Sequence, residues 1–176
     1  MSSSQAARTL RRRPGSGTVT TMAESWFLKI DGIEGQSTSD AHANEIDVLS
    51  WSLGVTNAGA SHGSGGGAGK ASFNDFHFVA EISKASPVLF LSCATGTHHK
   101  DATLSGARSG GKVKSTDFLK YKLSDVQVTS VQHSDSEGGS PTEQFSLSYS
   151  KFEISFQPPG GTAVTAGYDT KLNKKV

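Results

Sequence analysis

A change of hydrophobic period within residues 73–108 limits the folds open to this chain more than any other feature. In residues 73–82 apolar side chains alternate with polar ones, which predicts a strand with one buried face. The buried face is predicted to carry Phe76, Phe78, Ala80 and Ile82, and the opposite face His77, Val79 and Glu81. The stretch therefore begins as β-structure.

The next part, residues 84–94, is a compact apolar run that predicts a short helix. Ser86 is expected at the N-cap, Pro87 at the first helical position, and Gly96 at the helix end. Extended structure resumes at residues 102–108. One helix within a strand-rich sequence predicts a mainly β domain with a single packed helix.

Residues 26–31 and 45–55 are predicted to be the first two strands. The apolar positions of the second strand change from even to odd near Val48, which predicts a bulge or bend there. After it, the packed face is predicted to hold Leu49, Trp51 and Leu53, with Ser50 and Ser52 on the opposite face.

The last third of the chain predicts a long antiparallel hairpin from residues 117–132 and 142–157. Apolar parity changes midway in both strands, which predicts a barrel or sandwich corner where both strands turn together. The Gly-rich tail is expected to pack only through Tyr168 and Leu172.

The composition indicates one globular domain. A chain of 176 residues that is 34% hydrophobic can bury one core. Its longest apolar run, residues 87–94, is far shorter than the roughly 18–20 residues of a membrane-spanning helix, so no membrane insertion is predicted. The single cysteine, Cys93, is expected to be a small buried hydrophobe.

Positive charge is concentrated at the start of the chain, where four arginines precede the first acidic residue, Glu24. Since the net charge is +1, the rest of the chain carries about −3, which disfavours a nucleic-acid partner. No apolar segment follows the arginines, so no cleaved signal peptide is predicted. Residues 1–21 are predicted to be a disordered extension or a misplaced start, and residues 22–176 the folded domain.

Two motifs suggest ligands but lack essential parts. In residues 64–71, Ser64 replaces the first glycine of a phosphate-binding loop and Ala71 replaces its Ser or Thr. That segment also leads into a strand, whereas phosphate binding needs a following helix. The sequence therefore predicts no nucleotide or other cofactor.

The histidines do not have the spacing of a metal site. His98 and His99 are adjacent and point apart on extended chain, so they are predicted to be surface residues at the helix end. Residues 42–45 are predicted to form a charged turn that supports the second strand. Residues 59–63 match the pattern Gly-x-Ser-x-Gly, but they lie in the glycine-rich loop that leads into a strand, whereas a nucleophile elbow joins a strand to a helix. Neither a metal nor an enzyme activity is therefore predicted.

The polar strand faces favour self-assembly. A small barrel is filled by its own side chains, so any channel must form between copies. Several strands carry small polar residues where a monomer usually exposes Lys and Glu, and their edges carry little protective charge. Closing a ring of identical subunits would cover those edges.

Four motifs occur in one order: FLKI at residues 27–30, HANEIDVLSWSLG at 42–54, GGGAGK at 65–70, and SPVLF followed by SCATGTH within 86–98. Together they resemble the haemolysin-coregulated protein (Hcp) family, whose members are tube proteins of the bacterial type VI secretion system. The likeness extends from residue 22 to residue 173 and leaves residues 1–21 outside.

The resemblance implies a β-barrel of two antiparallel sheets with one flanking α-helix. It implies a homohexamer whose rings stack into a hollow tube, fired by a contractile sheath with a VgrG-like spike protein at its tip and effector proteins in its lumen. The implied role is structural. The implied location is the bacterial cytoplasm before firing, followed by secretion without a cleaved signal peptide.

The resemblance also implies roles for particular residues. In the family, the serine after the tryptophan of the second strand faces the lumen, which corresponds to Ser52, and Ser50 shares its face. The long loop after that strand helps one ring contact the next. Here the residues given this stacking role are His62, Gly65, Gly66, Gly67 and Lys70.

Two other functions stay open from the residues alone. One is a monomeric β-sandwich that binds a sugar or another small ligand and uses the glycine-rich loop as a lip. The other is a hydrolase with dispersed catalytic residues. A solitary monomer that saturates with a defined ligand would favour the first, and a broad activity screen would test the second.

Overall fold

The computed structural model describes residues 23–57, 71–110, 113–135 and 137–176, which form eleven strands and one helix. The elements are β1 (Ala23–Ile30), β2 (Ile46–Ser52), β3 (Val55–Asn57), β4 (Ala71–Phe73), β5 (Phe76–Glu81), α1 (Ser86–Thr95), β6 (His98–Gly110), β7 (Val113–Ser134), β8 (Thr142–Ser148), β9 (Lys151–Phe156), β10 (Val164–Asp169) and β11 (Lys174–Lys175). The extension predicted at residues 1–21 lies outside the described residues.

Six strands close into a barrel in the order β7, β6, β1, β2, β5, β8 and back to β7, with every neighbouring pair antiparallel. Strand β7 closes the barrel by pairing with both β6 and β8, which is possible because it is 22 residues long. Its first half also pairs with β9, and β10 and β11 extend the sheet from there. The mainly β fold with a single described helix is confirmed.

The interior of the barrel follows the predicted two-residue period of β5 and β8. Phe76, Phe78 and Phe145 are fully buried, and Phe78 stacks on the other two at centroid distances of 4.5 and 5.2 Å. Ile82 does not continue the pattern and is half-exposed, because β5 ends at Glu81. The period therefore holds only as far as the strand pairing does.

The predicted bulge in β2 is confirmed, but its consequence for Leu49 was predicted wrongly. Val48 pairs with Ala80 and Ser50 pairs with Val79, which leaves Leu49 as the extra residue without a cross-strand partner. Its side chain is 56% exposed instead of packed. Beyond the bulge, Trp51 and Leu53 pack against the core as predicted.

The predicted corner in the long hairpin is confirmed. Asp125 has φ of 53°, a left-handed conformation that Asp tolerates better than most residues, and it separates inward Leu123 from inward Val126. The partner strand breaks at the same level, since β8 ends at Ser148 and β9 begins at Lys151. Both strands therefore change their buried parity together.

Helix α1 begins and ends close to the predicted positions. Its N-cap is Ala85, so the prediction for Ser86 is wrong by one residue: Ser86 is the first helical residue, and its hydroxyl accepts a hydrogen bond from the Ser83 amide at 2.9 Å. Gly96 ends the helix in the left-handed region with φ of 65°, as predicted. Cys93 is only partly buried, at the edge of the core. None of the described helical structure is long and apolar enough to cross a membrane.

The tail is more ordered than predicted, because β9 presents a free edge with which β10 pairs. Tyr168 packs against Phe73 and Phe152, at centroid distances of 5.2 and 6.5 Å, and so attaches the ribbon of β3 and β4 to the extended sheet. Leu172 stays 62% exposed, so its predicted packing is wrong.

Candidate contact surface on the outer wall of the barrel

Four neighbouring strand segments form one polar wall on the outside of the barrel: β2, β5, β8 and residues 127–134 of β7. Alternation along each strand turns most aromatic and aliphatic residues inward and the polar residues outward, with Leu49 at the bulge and the half-buried Val79 as exceptions on the outer face. The two serines predicted to face a lumen, Ser50 and Ser52, are both exposed on this wall.

A row of polar side chains crosses this wall at one level. Ser52 of β2 is the register partner of His77 of β5, and His77 is the partner of Ser146 of β8. Ser146 in turn is the partner of Ser130 of β7. We call these four residues the polar row. Cross-strand partners on one face lie about 5 Å apart, so the row is continuous.

Three members of the polar row are hydrogen bonded to one another. The Ser130 hydroxyl donates to the Ser146 Oγ at 2.9 Å, and the Ser146 Oγ lies 2.6 Å from the His77 Nδ1. Ser146 is only 5% exposed, whereas His77 is exposed. The row therefore presents an imidazole to solvent while the hydroxyl that holds it is buried.

A shallow groove of about 240 Å³ runs along the row. Its polar lining includes the exposed His77, Gln132 and Gln144 and the half-buried Ser130. Hydroxyl, amide and imidazole groups donate and accept hydrogen bonds, so the groove suits a polar partner better than an apolar one.

The fixed charges of the wall have one sign. Its four strand segments contain no Lys or Arg, and their exposed carboxylates are Asp47 and Glu81. A third carboxylate, Asp75, lies just before β5 and accepts a hydrogen bond from the Thr129 hydroxyl at 2.7 Å. The wall is therefore polar and mildly acidic.

The contact between Ser146 and His77 has the first feature of a nucleophile and its general base. In the described part of the chain, however, no carboxylate hydrogen bonds to His77, and the Ser146 side chain is nearly inaccessible. The pair lacks both an orienting acid and access for a substrate. The arrangement supports contact with a partner, not acyl transfer.

The predicted charged turn at residues 42–45 is confirmed, and its histidine is buried. His42 lies between two carboxylates, with Nδ1 3.0 Å from Glu45 Oε2 and Nε2 2.9 Å from Asp117 Oδ1. Burial tends to raise the pKa of Asp117, but hydrogen bonds from Lys120 and His42 outweigh it and hold the pKa below the usual value. The cluster ties the turn to the start of β7.

The adjacent histidines have different environments. His98 is exposed as predicted, and its Nδ1 lies 2.9 Å from Asp125 Oδ1. The prediction for His99 is wrong: it is buried, with Nδ1 2.7 Å from the Asp31 carbonyl and Nε2 3.2 Å from the Ser92 hydroxyl. Within the described ranges no cluster of His, Cys, Asp and Glu side chains is placed to hold a metal ion.

One carboxylate lies inside the barrel. Glu143 of β8 is fully buried, and within the described part of the chain no group meets the geometry of a hydrogen bond to either of its oxygens. The nearest group that can carry positive charge is His133, whose Nε2 is 3.5 Å from Glu143 Oε2. Burial raises the pKa of Glu143, and the nearby Ser86 hydroxyl and His133 offset this only in part. The buried charge weakens the folded state at neutral pH.

The sequence predicted part of this surface. The period of β5 placed His77 on the polar face, but the neighbours of His77 depend on the register between strands 69 residues apart. The predicted stacking residues His62, Gly65, Gly66, Gly67 and Lys70 lie outside the described residues. Strands β3 and β4 flank that segment, and Asn57 pairs with Ala71 across it.

The fold and the wall define a small β-barrel with a polar outer face. The family described as "Type VI secretion system effector, Hcp" matches residues 27–156. Protein hcp1 of Pseudomonas aeruginosa is 37% identical over 139 residues, which cover 78% of this chain and 85% of that protein. Hcp1 from Salmonella typhimurium has a crystal structure with a TM-score of 0.76 and 38% identity, covering 88% of this chain and 100% of that one.

A type VI secretion system effector from Yersinia pestis has a crystal structure with a TM-score of 0.68 and 33% identity. It covers 82% of this chain and 98% of its own. The chain belongs to the Hcp family of the type VI secretion system.

Proposed function

We propose that this chain is a structural tube component of a type VI secretion system. Six copies form a ring, and rings stack into a hollow tube that carries effector proteins in its lumen. A contractile sheath surrounds the tube and a VgrG-like spike protein sits at its tip. The protein resides in the bacterial cytoplasm before firing and is then secreted without a cleaved signal peptide.

The observation that carries this proposal is the polar wall. A monomer of this size usually covers its exposed strands with Lys, Glu and Arg, which keep it soluble and block association. Here the four adjacent segments expose mainly Ser, Gln and His, with carboxylates at Asp47 and Glu81. A wall of small polar groups suits the lining of a shared channel, where cargo must bind and also leave.

Exposed apolar residues near the strand edges support contact between copies. Val55 of β3 is 58% exposed, Val164 of β10 is 66% exposed, and Val176 beside β11 is 50% exposed. A neighbouring subunit would bury them, and each contact is expected to cover on the order of 800 Å² per partner.

Native mass spectrometry of the purified full chain tests the ring. The expected result is a hexamer at micromolar concentration, with ring-shaped particles in negative-stain images. Val164→Lys is expected to weaken the ring, and Thr38→Lys, in an exposed loop, is the matched control. If monomers alone are detected at every concentration, the proposal is refuted. A monomer that saturates with one sugar or small ligand would favour the alternative, a ligand-binding β-sandwich.

The luminal role of Ser52 is tested separately. Ser52→Arg is expected to leave the ring intact and to reduce retention of effector proteins, because this exposed hydroxyl contributes little to packing. Thr38→Arg adds the same charge elsewhere and should retain effectors normally. Unfolding of the Ser52→Arg variant would show that the face is assigned wrongly.

Residues 58–70 are proposed to contribute to contacts between stacked rings, with His62, Gly65, Gly66, Gly67 and Lys70 as the contact residues. Deleting residues 63–69 is expected to reduce tube length while rings still form. The pairing of β3 with β4 over Val55–Asn57 and Ala71–Phe73 should persist. A large loss of melting temperature would contradict a role confined to stacking.

A further inference from the structure

We propose that His77, oriented by Ser146 and Ser130, is a second contact residue beside Ser52, and that this wall binds polar, positively charged segments of cargo proteins. The inference rests on the proposed function in one respect: the proposed tube places this wall toward the lumen, where cargo would pass. The binding chemistry itself comes from the hydrogen bonds and charges of the wall.

The direction of the hydrogen bond from Ser130 to Ser146 favours one tautomer of His77. Each serine hydroxyl has a single proton, and the Ser130 proton is directed to Ser146. The Ser146 proton is therefore available for the His77 Nδ1, 2.6 Å away. With Nδ1 as the acceptor, the neutral imidazole carries its proton on Nε2.

The Nε2–H group is then the free end of this chain of hydrogen bonds. The His77 side chain is exposed, and within the described ranges its Nε2 has no hydrogen-bond partner. A backbone carbonyl or side-chain amide oxygen of a bound segment can accept this hydrogen bond. Ser52, one strand away, offers a hydroxyl at the neighbouring position.

The charges of the wall determine which sign of charge a bound segment should carry. Asp47 of β2 and Glu81 of β5 are exposed, and Asp75 lies beside the row, while the four strand segments contain no Lys or Arg. His133 lies at the far end of β7, beside the buried Glu143. An acidic segment would be repelled by these carboxylates, and a basic one attracted.

Fluorescence anisotropy on the full-length protein tests the charge preference with two labelled peptides, a Gly-Ser-Lys repeat and the matching Gly-Ser-Glu repeat. The Lys peptide is expected to bind more tightly, with an affinity that falls as salt is added. The double variant Asp47→Asn, Glu81→Gln is expected to reduce this preference. Equal binding of both peptides would overturn the charge argument.

The role of His77 is tested with the same Lys peptide. His77→Leu removes the N–H donor that faces solvent. Binding is expected to weaken about fivefold, which corresponds to the loss of one hydrogen bond. His77→Gln keeps an amide donor and should retain most of the affinity, and Thr38→Leu is the control for an exposed apolar substitution. Unchanged affinity of His77→Leu would refute the contact.

Ser146 is a positioning residue, and its test does not depend on cargo. Nitrogen-15 NMR of the wild-type imidazole is expected to show a protonated Nε2 and an unprotonated Nδ1. Ser146→Ala should convert His77 to a mixture of tautomers while the protein remains folded. A wild-type His77 already in mixed tautomers would refute the fixed orientation.

These outcomes separate the inference from the proposed function. A monomeric protein that still prefers the Lys peptide through His77 would refute the tube and keep the binding chemistry. A hexameric protein without that preference would keep the tube and refute the inference.

Discussion

The inner and outer faces of β5 and β8 differ in what holds them together. Inside, Phe76, Phe78 and Phe145 are fully buried and stacked, so their contribution is mostly apolar burial. Outside, Ser146 and His77 are linked by a hydrogen bond in an open groove. Alternate residues of one strand therefore have different roles: the inner ones stabilise the barrel, and the outer ones are available for contact.

The largest expected effect tests the inner face. Phe78→Ala removes a fully buried ring between two others and is expected to lower the free energy of unfolding by about 3–5 kcal/mol. Val79→Ala, one residue away on the half-buried outer face, is the matched control and should lose less than about 1.5 kcal/mol. Urea denaturation of both variants measures the difference. Similar losses would show that the two faces share the stabilising role.

Glu143 is an exception on the inner face, because it is a fully buried carboxylate, with Ser86 and the partly exposed His133 as nearby polar groups. Glu143→Gln removes the buried charge at nearly constant volume and is expected to raise stability by about 1–2 kcal/mol at neutral pH. Glu81→Gln is the exposed control and should change stability by less than about 0.5 kcal/mol.

The pH dependence of Glu143→Gln follows from the raised pKa of Glu143. The folded state binds the proton more tightly than the unfolded state, so the wild type regains stability as the pH falls from neutral toward the ordinary value of 4.5. The advantage of the variant should therefore shrink over that range. An advantage independent of pH would mean that the buried charge is not its cause.

The sequence predicts features that depend on one strand or on its immediate neighbours. The period of two placed Phe76 and Phe78 inside, and the parity changes predicted a bulge near Val48 and a corner midway along the long hairpin, which the structure has at Asp125. These signals are local, because alternation and its interruption can be counted along the chain.

Features that depend on distant register or on pairing partners could not be predicted. Glu143 follows the inward parity of β8, but a charged residue is not expected inside a barrel. His99 looked like a surface residue until strand pairing brought it beside Asp31 and the helix brought Ser92 to it. The tail strand β10 lacks apolar alternation, so its sequence does not predict a strand. It forms because it pairs with the free edge of β9.

The outer face is expected to contribute less to stability. Ser146→Ala removes the hydroxyl that links Ser130 to His77 and is expected to lower the free energy of unfolding by about 1 kcal/mol. Ser148→Ala, two positions further along the same strand, is the control and should be nearly neutral. Thermal denaturation compares the two. A loss as large as that of Phe78→Ala would show that the polar row is needed to stabilise the barrel.

The smallest effect is expected at Asp125, where β7 exchanges its inner and outer parity. Hydrogen bonds from Lys171, Ser150 and His98 hold the pKa of Asp125 well below its usual value. Asp125→Asn keeps a residue that tolerates the left-handed φ of 53°, removes the charge and replaces one acceptor oxygen by an NH2 group. Because the carboxylate is partly exposed, the loss should be smaller than that of Ser146→Ala.

A group with a lowered pKa stabilises the fold above its ordinary pKa of 3.8 and loses that contribution as the pH falls through the lowered value. The difference between wild type and Asp125→Asn should therefore be present at neutral pH and vanish in strong acid, opposite to the trend at Glu143. Melting temperatures across this range measure it, with Asp40→Asn, in an exposed turn, as the control. A deficit that persists in strong acid would mean that the corner needs the shape of aspartate and not its charge.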